Sequence, residues 1–183
     1  CPNIKAGGIT FGNSAVGTSE VVQAVRSVTK LPIIPKLTPN VTDIAGIAKA
    51  AEEAGADAVS LVNTFLAMAI DVETRRPALS NGVGGLSGPA IRPIAVRMVY
   101  ECSQAVTIPI IGMGGITTAR DVLEFIIAGA TAVQIGTANF VNPNLWPKLL
   151  ADLEEYLSRH NIDRVQDLVG TLELTETQVW NSS

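Results

Sequence analysis

Ile108-Pro109-Ile110-Ile111-Gly112-Met113-Gly114-Gly115-Ile116 is a short apolar run that ends in glycines and is followed at once by Thr117-Thr118. Runs of this kind without alternation are what strands buried on both faces of a parallel sheet look like, so a strand is expected near 108–112. Thr117-Thr118 offers side-chain oxygens where a helix should start, and Gly129 stands where it should stop, which predicts a helix near 118–128. Beyond it, Gly129-Ala130-Thr131-Ala132-Val133-Gln134-Ile135-Gly136-Thr137-Ala138 reads as another strand near 131–135 with its own glycine exit. The same unit occurs upstream. Leu31-Pro32-Ile33-Ile34 echoes Ile108-Pro109-Ile110-Ile111, Thr42-Asp43 and Gly55 bracket a helix, and Gly55 to Thr64 repeats the size pattern of Gly129 to Ala138. Strand, helix, Gly-Ala, strand is repeated βα architecture. Strands are placed near 32–37, 57–62, 108–112 and 131–135, and helices near 18–29, 42–54, 88–104, 118–128 and 143–159.

The 183 residues suffice for one domain with a sizeable core and are too few for two ordinary domains and a linker. Residues 1–183 are therefore taken as a single α/β domain. Hydrophobic residues make up 47% and charged residues 16%, too apolar a balance for disorder. A net charge of −4 provides no field for nucleic acid or an anionic membrane, and 4% aromatics is no stacking platform for bases. No apolar run reaches the ~20 residues of a membrane helix and no secretory segment is present, so a cytoplasmic location is expected. Cys1 and Cys102 lack metal-type spacing and do not form a disulfide framework, so no metal site is expected and a reducing compartment suits them. The chain starts at Cys1 without a methionine, which leads us to expect that upstream sequence has been lost or processed away.

In parallel βα folds ligands sit at the C-terminal ends of strands, where loops converge and helix N-termini direct N–H groups at anions. Four exits follow: Lys36, Asn63-Thr64, Gly112 to Gly115, and Gly136-Thr137. The last two are adjacent, rich in glycine and open onto helices, like the phosphate cradle of many (βα)₈ barrels, so a phosphorylated ligand is implied. A single glycine turn is as readily explained by positive φ alone; two neighbouring ones are stronger. Lys36 ends an apolar strand, where it either snorkels to the rim or meets a negative partner inside. Pro35 removes a ladder donor and could mark a bulge that re-aims it. Residues 63–87 form a long connection with glycines at 82, 84, 85 and 88, in which 69–79 could form a small hairpin and Arg75-Arg76 a solvated turn. Cys1-Pro2-Asn3 looks like the end of a further strand; its thiol is either a small buried hydrophobe or a proton-transfer base. Cys102 is assigned to helix packing, His160 to the surface, and residues 162–183 to no element.

With those residues in view, the chain resembles the C-terminal part of a class 1 dihydroorotate dehydrogenase, most of all the class 1B catalytic subunit. The matching stretches are Cys1-Pro2-Asn3, Lys36 to Asp43, Ala50 to Asp57, Gly84 to Ile91, Ile108 to Ile116 and Gly136 to Asn142, which together span nearly the whole chain. The resemblance implies a parallel (β/α)8 TIM barrel holding FMN, of which about the C-terminal half is present, and oxidation of dihydroorotate to orotate in pyrimidine biosynthesis. It implies Cys1 as the base that takes the C5 proton while the C6 hydride passes to flavin N5, with Asn3, Asn63 and Thr64 holding substrate. Lys36, Val62, Gly88, Gly114, Gly115, Gly136 and Thr137 would bind FMN, the last four mainly around its phosphate. Class 1B further implies a partner subunit carrying FAD and an iron–sulfur cluster that serves NAD, and the protein is expected to be a homodimer. Pro35, Thr38 and the stretch from Gly7 to Ser14 depart from the family pattern, which bears on loop closure over Cys1. Two alternatives stay open: another FMN barrel such as the pyrimidine-reducing domain of dihydropyrimidine dehydrogenase, and a catalytically silent half-barrel that only associates with other chains.

Overall fold

The computed structural model describes residues 11–175, so Cys1 and Asn3 lie outside the described residues. Its elements in chain order are α1 (Ala15–Arg26), α2 (Ile44–Glu53), β1 (Val59–Leu61), β2 (Phe65–Ala67), β3 (Ile70–Asp71), β4 (Arg76–Pro77), β5 (Gly84–Leu86), α3 (Arg92–Ser103), β6 (Ile110–Met113), α4 (Ala119–Ile127), β7 (Ala132–Gln134), α5 (Ala138–Val141) and α6 (Leu145–Arg159). Short 3-10 turns cover Pro89–Ile91 and Val165–Leu168. The main sheet has the order β1-β6-β7 and is parallel throughout, with Val59 opposite Ile110 and Ile111 opposite Ala132. Among the described residues no helix is long and apolar enough to cross a membrane.

The strand expected near 32–37 is only partly realised. The segment runs parallel beside β1, with Leu37 N donating to the Ser60 carbonyl at 2.8 Å and Ser60 N to the Pro35 carbonyl at 3.0 Å, yet it makes a single bridge, Lys36 to Ser60. Pro32 and Pro35 have no N–H to give, so no continuous ladder can form. β7 also departs from the expectation of burial on both faces: it lies at the sheet edge with Ala132 and Gln134 exposed.

Helix boundaries follow local chemistry. Asp43 caps α2 by accepting from Gly46 N at 2.8 Å, and Thr118 caps α4 in a reciprocal capping box with Asp121. Gly55 (φ 98°) and Gly129 (φ 119°) end these helices, and in both cases the following residue donates back to the third carbonyl from the helix end, Ala56 to Ala51 and Ala130 to Phe125. That is the left-handed cap that glycine adopts without Cβ strain. The helix expected at 18–29 begins earlier because Ser14 accepts from Gly17 N at 3.1 Å. The helix expected at 88–104 begins as a 3-10 turn, and the one expected at 143–159 is preceded by the short α5.

Ile44, Val59, Leu61, Val99, Cys102 and Phe125 form the centre of the core. Phe125 reaches the sheet because β6 carries Gly112 beneath it: a Cβ there would come within 2.6 Å of the ring. Burying a side chain of this size contributes about 1.5–3 kcal/mol, and larger packing at Gly112 would forfeit it. The tail that the sequence left unassigned docks in part, with Gly170 N and Leu172 N donating to Ile126 and Ile127 at the end of α4.

On the side where strands begin, surface ions tie helices to strand entries. Asp57 accepts from Ile33 N and pairs with Arg26, whose Nε and Nη2 donate to the Gly55 carbonyl. Glu52 Oε1 accepts from Thr107 Oγ1, Thr107 N and Ile108 N, and these bonds, the Thr107 hydroxyl foremost, hold its carboxyl below its ordinary value of 4.5. A depressed folded pKa means the contribution is present above the unfolded value and is lost as pH falls through the folded one. Glu52→Gln is accordingly expected to cost about 1 kcal/mol at pH 7, already reduced for solvent screening, and less than half of that once the pH is well below 4.5. Urea unfolding of both proteins at pH 7 and pH 3 checks this; a pH-independent difference would contradict it.

Candidate functional site

The exits of the parallel strands converge on one cavity of about 330 Å³, within the range of small-ligand sites. Lys36 reaches it from the extended segment, Val62 with Asn63-Thr64 from the end of β1, Gly114-Gly115 from β6, Gly136-Thr137 from β7, and Gly88 from the turn ahead of α3. Every candidate site residue within the described range thus lines the same space. Cys1 and Asn3 are not placed.

Each wall has a local cause. The long connection after β1 folds into two antiparallel ribbons, β2 with β5 and β3 with β4, which brings Gly88 back toward the strand ends. The hairpin expected at 69–79 is the outer ribbon; Arg75 takes φ 55° in its turn, Arg76 pairs opposite Asp71, and both arginines are exposed, as a solvated turn requires. Thr64 packs where β5 carries Gly85, since any Cβ at that glycine would collide with its side chain. Asn40 clasps the same strand end, its amide donating to the Thr64 carbonyl at 3.1 Å and its oxygen accepting from Leu66 N at 2.8 Å.

Two glycine turns face the cavity with unused donors. Among the described residues, the N–H groups of Gly115 and Ile116, and those of Gly136 and Thr137, donate to no protein acceptor, while Gly114 continues the pairing of β6 with β7. Gly114 (φ 133°), Gly115 (φ 74°) and Gly88 (φ 89°) need the left-handed freedom of glycine, whereas Gly136 does not: a Cβ there would meet nothing within 4 Å. At Gly136 the space, not the backbone, is what glycine preserves. Unpaired N–H groups in a concave turn suit an anion.

Of the two readings of Lys36, the structure realises the one in which the side chain snorkels to the rim. It is exposed at the cavity rim, and among the described residues no carboxylate pairs with it, so burial creates no need for a compensating charge. Among the described residues the segment pairs only with β1, through the single bridge from Lys36 to Ser60.

Several lining residues escaped the sequence reading. Thr137 Oγ1 donates to Ser87 Oγ at 2.9 Å, closing the cavity between two loops 50 residues apart. Gln134 and Asn142 also line it. Ser87 stands next to Gly88, and that adjacency was the available signal. Cys102 is buried, with its thiol pushed up to about 12 by desolvation and then by Glu101 and Asp43, which leaves it inert, as expected of packing. His160 is exposed at the end of α6 and stacks on Tyr156 with ring centroids 4.4 Å apart, consistent with its surface assignment.

Fold and site together define an α/β protein whose parallel strands deliver two glycine turns, paired polar exits and a lysine to one ligand cavity. The chain belongs to the dihydroorotate dehydrogenase family, whose model matches residues 1–157. It is 60% identical over 175 residues to a protein of Desulforudis audaxviator described as dihydroorotate dehydrogenase B (NAD(+)), catalytic subunit, an alignment covering 96% of this chain and 57% of the relative. Proteins of the same description from Alkaliphilus oremlandii (55% over 172 residues; 94% of this chain, 57% of theirs) and Phocaeicola vulgatus (56% over 174; 95% and 57%) are similarly close. The chain therefore spans about 57% of the length of these relatives.

Proposed function

We propose that this chain is the FMN-holding part of a dihydroorotate dehydrogenase that oxidises dihydroorotate to orotate in de novo pyrimidine biosynthesis. In this reading residues 1–183 form one domain, the C-terminal portion of a (βα)₈ barrel of about 250 residues or more. The observation that carries it is the convergence of two donor-rich glycine turns on the cavity that also receives Lys36 and Asn63-Thr64. FMN fits these residues: the N–H groups of Gly115, Gly136 and Thr137 suit its phosphate, Gly114 lines the same space, and the space before Gly88 and Gly136 admits it without a clash. Val62, which lines the same cavity, would meet it through backbone.

When bound, FMN supplies the acceptor for the hydride that leaves C6 of dihydroorotate. Cys1, as thiolate, takes the C5 proton, and the C5–C6 bond becomes the double bond of orotate. Asn3, Asn63 and Thr64 hold the substrate ring for that transfer. Lys36, at the rim of the same cavity, would lie beside the cofactor and supply a cation that favours negative charge on it. The relatives are named as NAD(+)-linked catalytic subunits, which supports a second, electron-transfer subunit carrying FAD and an iron–sulfur cluster; a homodimer and a cytosolic location belong to the same reading.

The open edge at β7 favours a second reading, in which this chain alone is silent and only associates: Phe140 is 90% and Val141 82% exposed beside that edge. One experiment separates them. Flavin retained through gel filtration is measured for this chain alone and with an upstream fragment, followed by anaerobic titration. The expected result is flavin retained only with the upstream fragment and bleached by dihydroorotate, not by dihydrouracil. Colourless protein in both samples sinks the FMN reading; equal, stoichiometric flavin in both refutes the dependence on further chain.

A further inference from the structure

Asp121 does more than cap α4. Its Oδ2 accepts from Thr117 N at 2.8 Å, Thr117 Oγ1 at 2.9 Å and Thr118 N at 2.9 Å, while its Oδ1 pairs with Arg92 Nη1. Desolvation opposes its charge, yet the Thr117 and Thr118 bonds and Arg92 outweigh it and hold the carboxyl below its ordinary value. Arg92 opens α3, four residues after Gly88. The ion pair therefore spans the two turns that line the cavity from β6 and from the α3 side.

Those turns approach most closely at Gly115. A Cβ at Gly115 would lie 2.6 Å from the Gly88 carbonyl oxygen and 3.0 Å from Arg92 Cβ. Along the chain after β6, the N–H groups of Gly115 and Ile116 are unused, and the next two, of Thr117 and Thr118, are taken by Asp121. The carboxylate thus sets where the row of free donors ends and how its turn is rotated. Glu124 Oε2 lies 3.1 Å from Arg92 Nε, so Arg92 pairs with both carboxylates, of which Asp121 is the buried one and the one that also binds the Thr117-Thr118 turn.

We infer that the Asp121–Arg92 pair is a positioning device that locks the Gly88 and Gly114-Gly115 turns in the arrangement whose backbone donors receive the phosphate of the ligand. This rests on the FMN reading and adds a residue pair that itself touches neither phosphate nor ring. Its consequence is selective: loss of the pair should weaken a flavin with a phosphate and leave one without it unchanged.

The test is flavin-fluorescence quenching with the complete apo-polypeptide, comparing FMN with riboflavin. In Asp121→Asn, FMN affinity should fall about 10- to 100-fold, the loss typical when the group that orients a binding group is removed, with riboflavin affinity within about twofold of wild type. Arg92→Lys keeps a cation but not the guanidinium geometry and should show a smaller, equally phosphate-selective loss, which keeps the test available if Asp121→Asn does not fold. Glu124→Gln should bind both flavins as wild type does. Equal weakening of FMN and riboflavin in Asp121→Asn and Arg92→Lys would mean a general structural role and overturn the inference, as would unaltered FMN binding. A wild type that binds both flavins alike overturns the phosphate reading itself, so the two failures are told apart by the wild-type arm.

Discussion

Cys1→Ala in the complete enzyme is expected to slow reduction of the bound flavin by dihydroorotate about 10²- to 10⁴-fold at neutral pH, the range for losing a general base, while orotate binding changes little. The asymmetry follows from the proposed role: the thiolate is needed only while the C5 proton is leaving, and the product makes no such demand. Cys1→Ser should retain a slower base whose pH optimum moves upward, because an alcohol ionises far less readily than a thiol of pKa about 8.5. Cys102 is the internal control. Buried, and with its thiol pushed up to about 12, it has no part in the chemistry, and Cys102→Ala should leave the pH profile in place. Anaerobic stopped-flow absorbance reads all three. Unchanged flavin reduction in Cys1→Ala would remove the base assignment.

Gly136→Val should separate binding from folding. At Gly115 or Gly129 any side chain meets both positive φ and a neighbour, so stability and site would fail together. Gly136 has neither constraint, and its missing Cβ opens onto the cavity lined also by Thr137 and Ser87. A valine there is expected to change the unfolding free energy by no more than about 0.5 kcal/mol, as surface changes do. Flavin affinity should nevertheless fall about 100-fold, equivalent to about 2.7 kcal/mol, because the branched side chain occupies space the ligand needs. Denaturant titration of the apo-protein and flavin binding by fluorescence quenching give the two numbers. A stable variant with wild-type flavin affinity would show that the β7 exit does not contact the ligand.

The parts legible from the sequence were those with local causes. Asp43, Thr118, Gly55 and Gly129 mark helix ends because capping oxygens and left-handed glycines act over three to six residues. The glycine exits, Lys36 and Asn63-Thr64 could be named because strand ends in parallel folds share one rim, and in the structure they line one cavity. The segment at 32–37 has the hydrophobicity of a strand, but Pro32 and Pro35 lack the donors a ladder needs, and it makes a single bridge. The inner ribbon of β2 and β5 was missed because its pairing joins Phe65 to Leu86 across a long connection with no turn signal of its own.

Chain order and side-chain chemistry alone determined the repeated βα pattern, where its helices start and stop, and the set of groups able to meet a phosphate. Tertiary structure alone decided that Lys36 stands exposed, that Thr137 meets Ser87, that Asp121 reaches Arg92 across two turns, and that residues 165–172 pack on α4. The division is physical: a cap or a glycine stop is settled by neighbours along the backbone, whereas burial and pairing between distant residues depend on which surfaces the whole chain brings together.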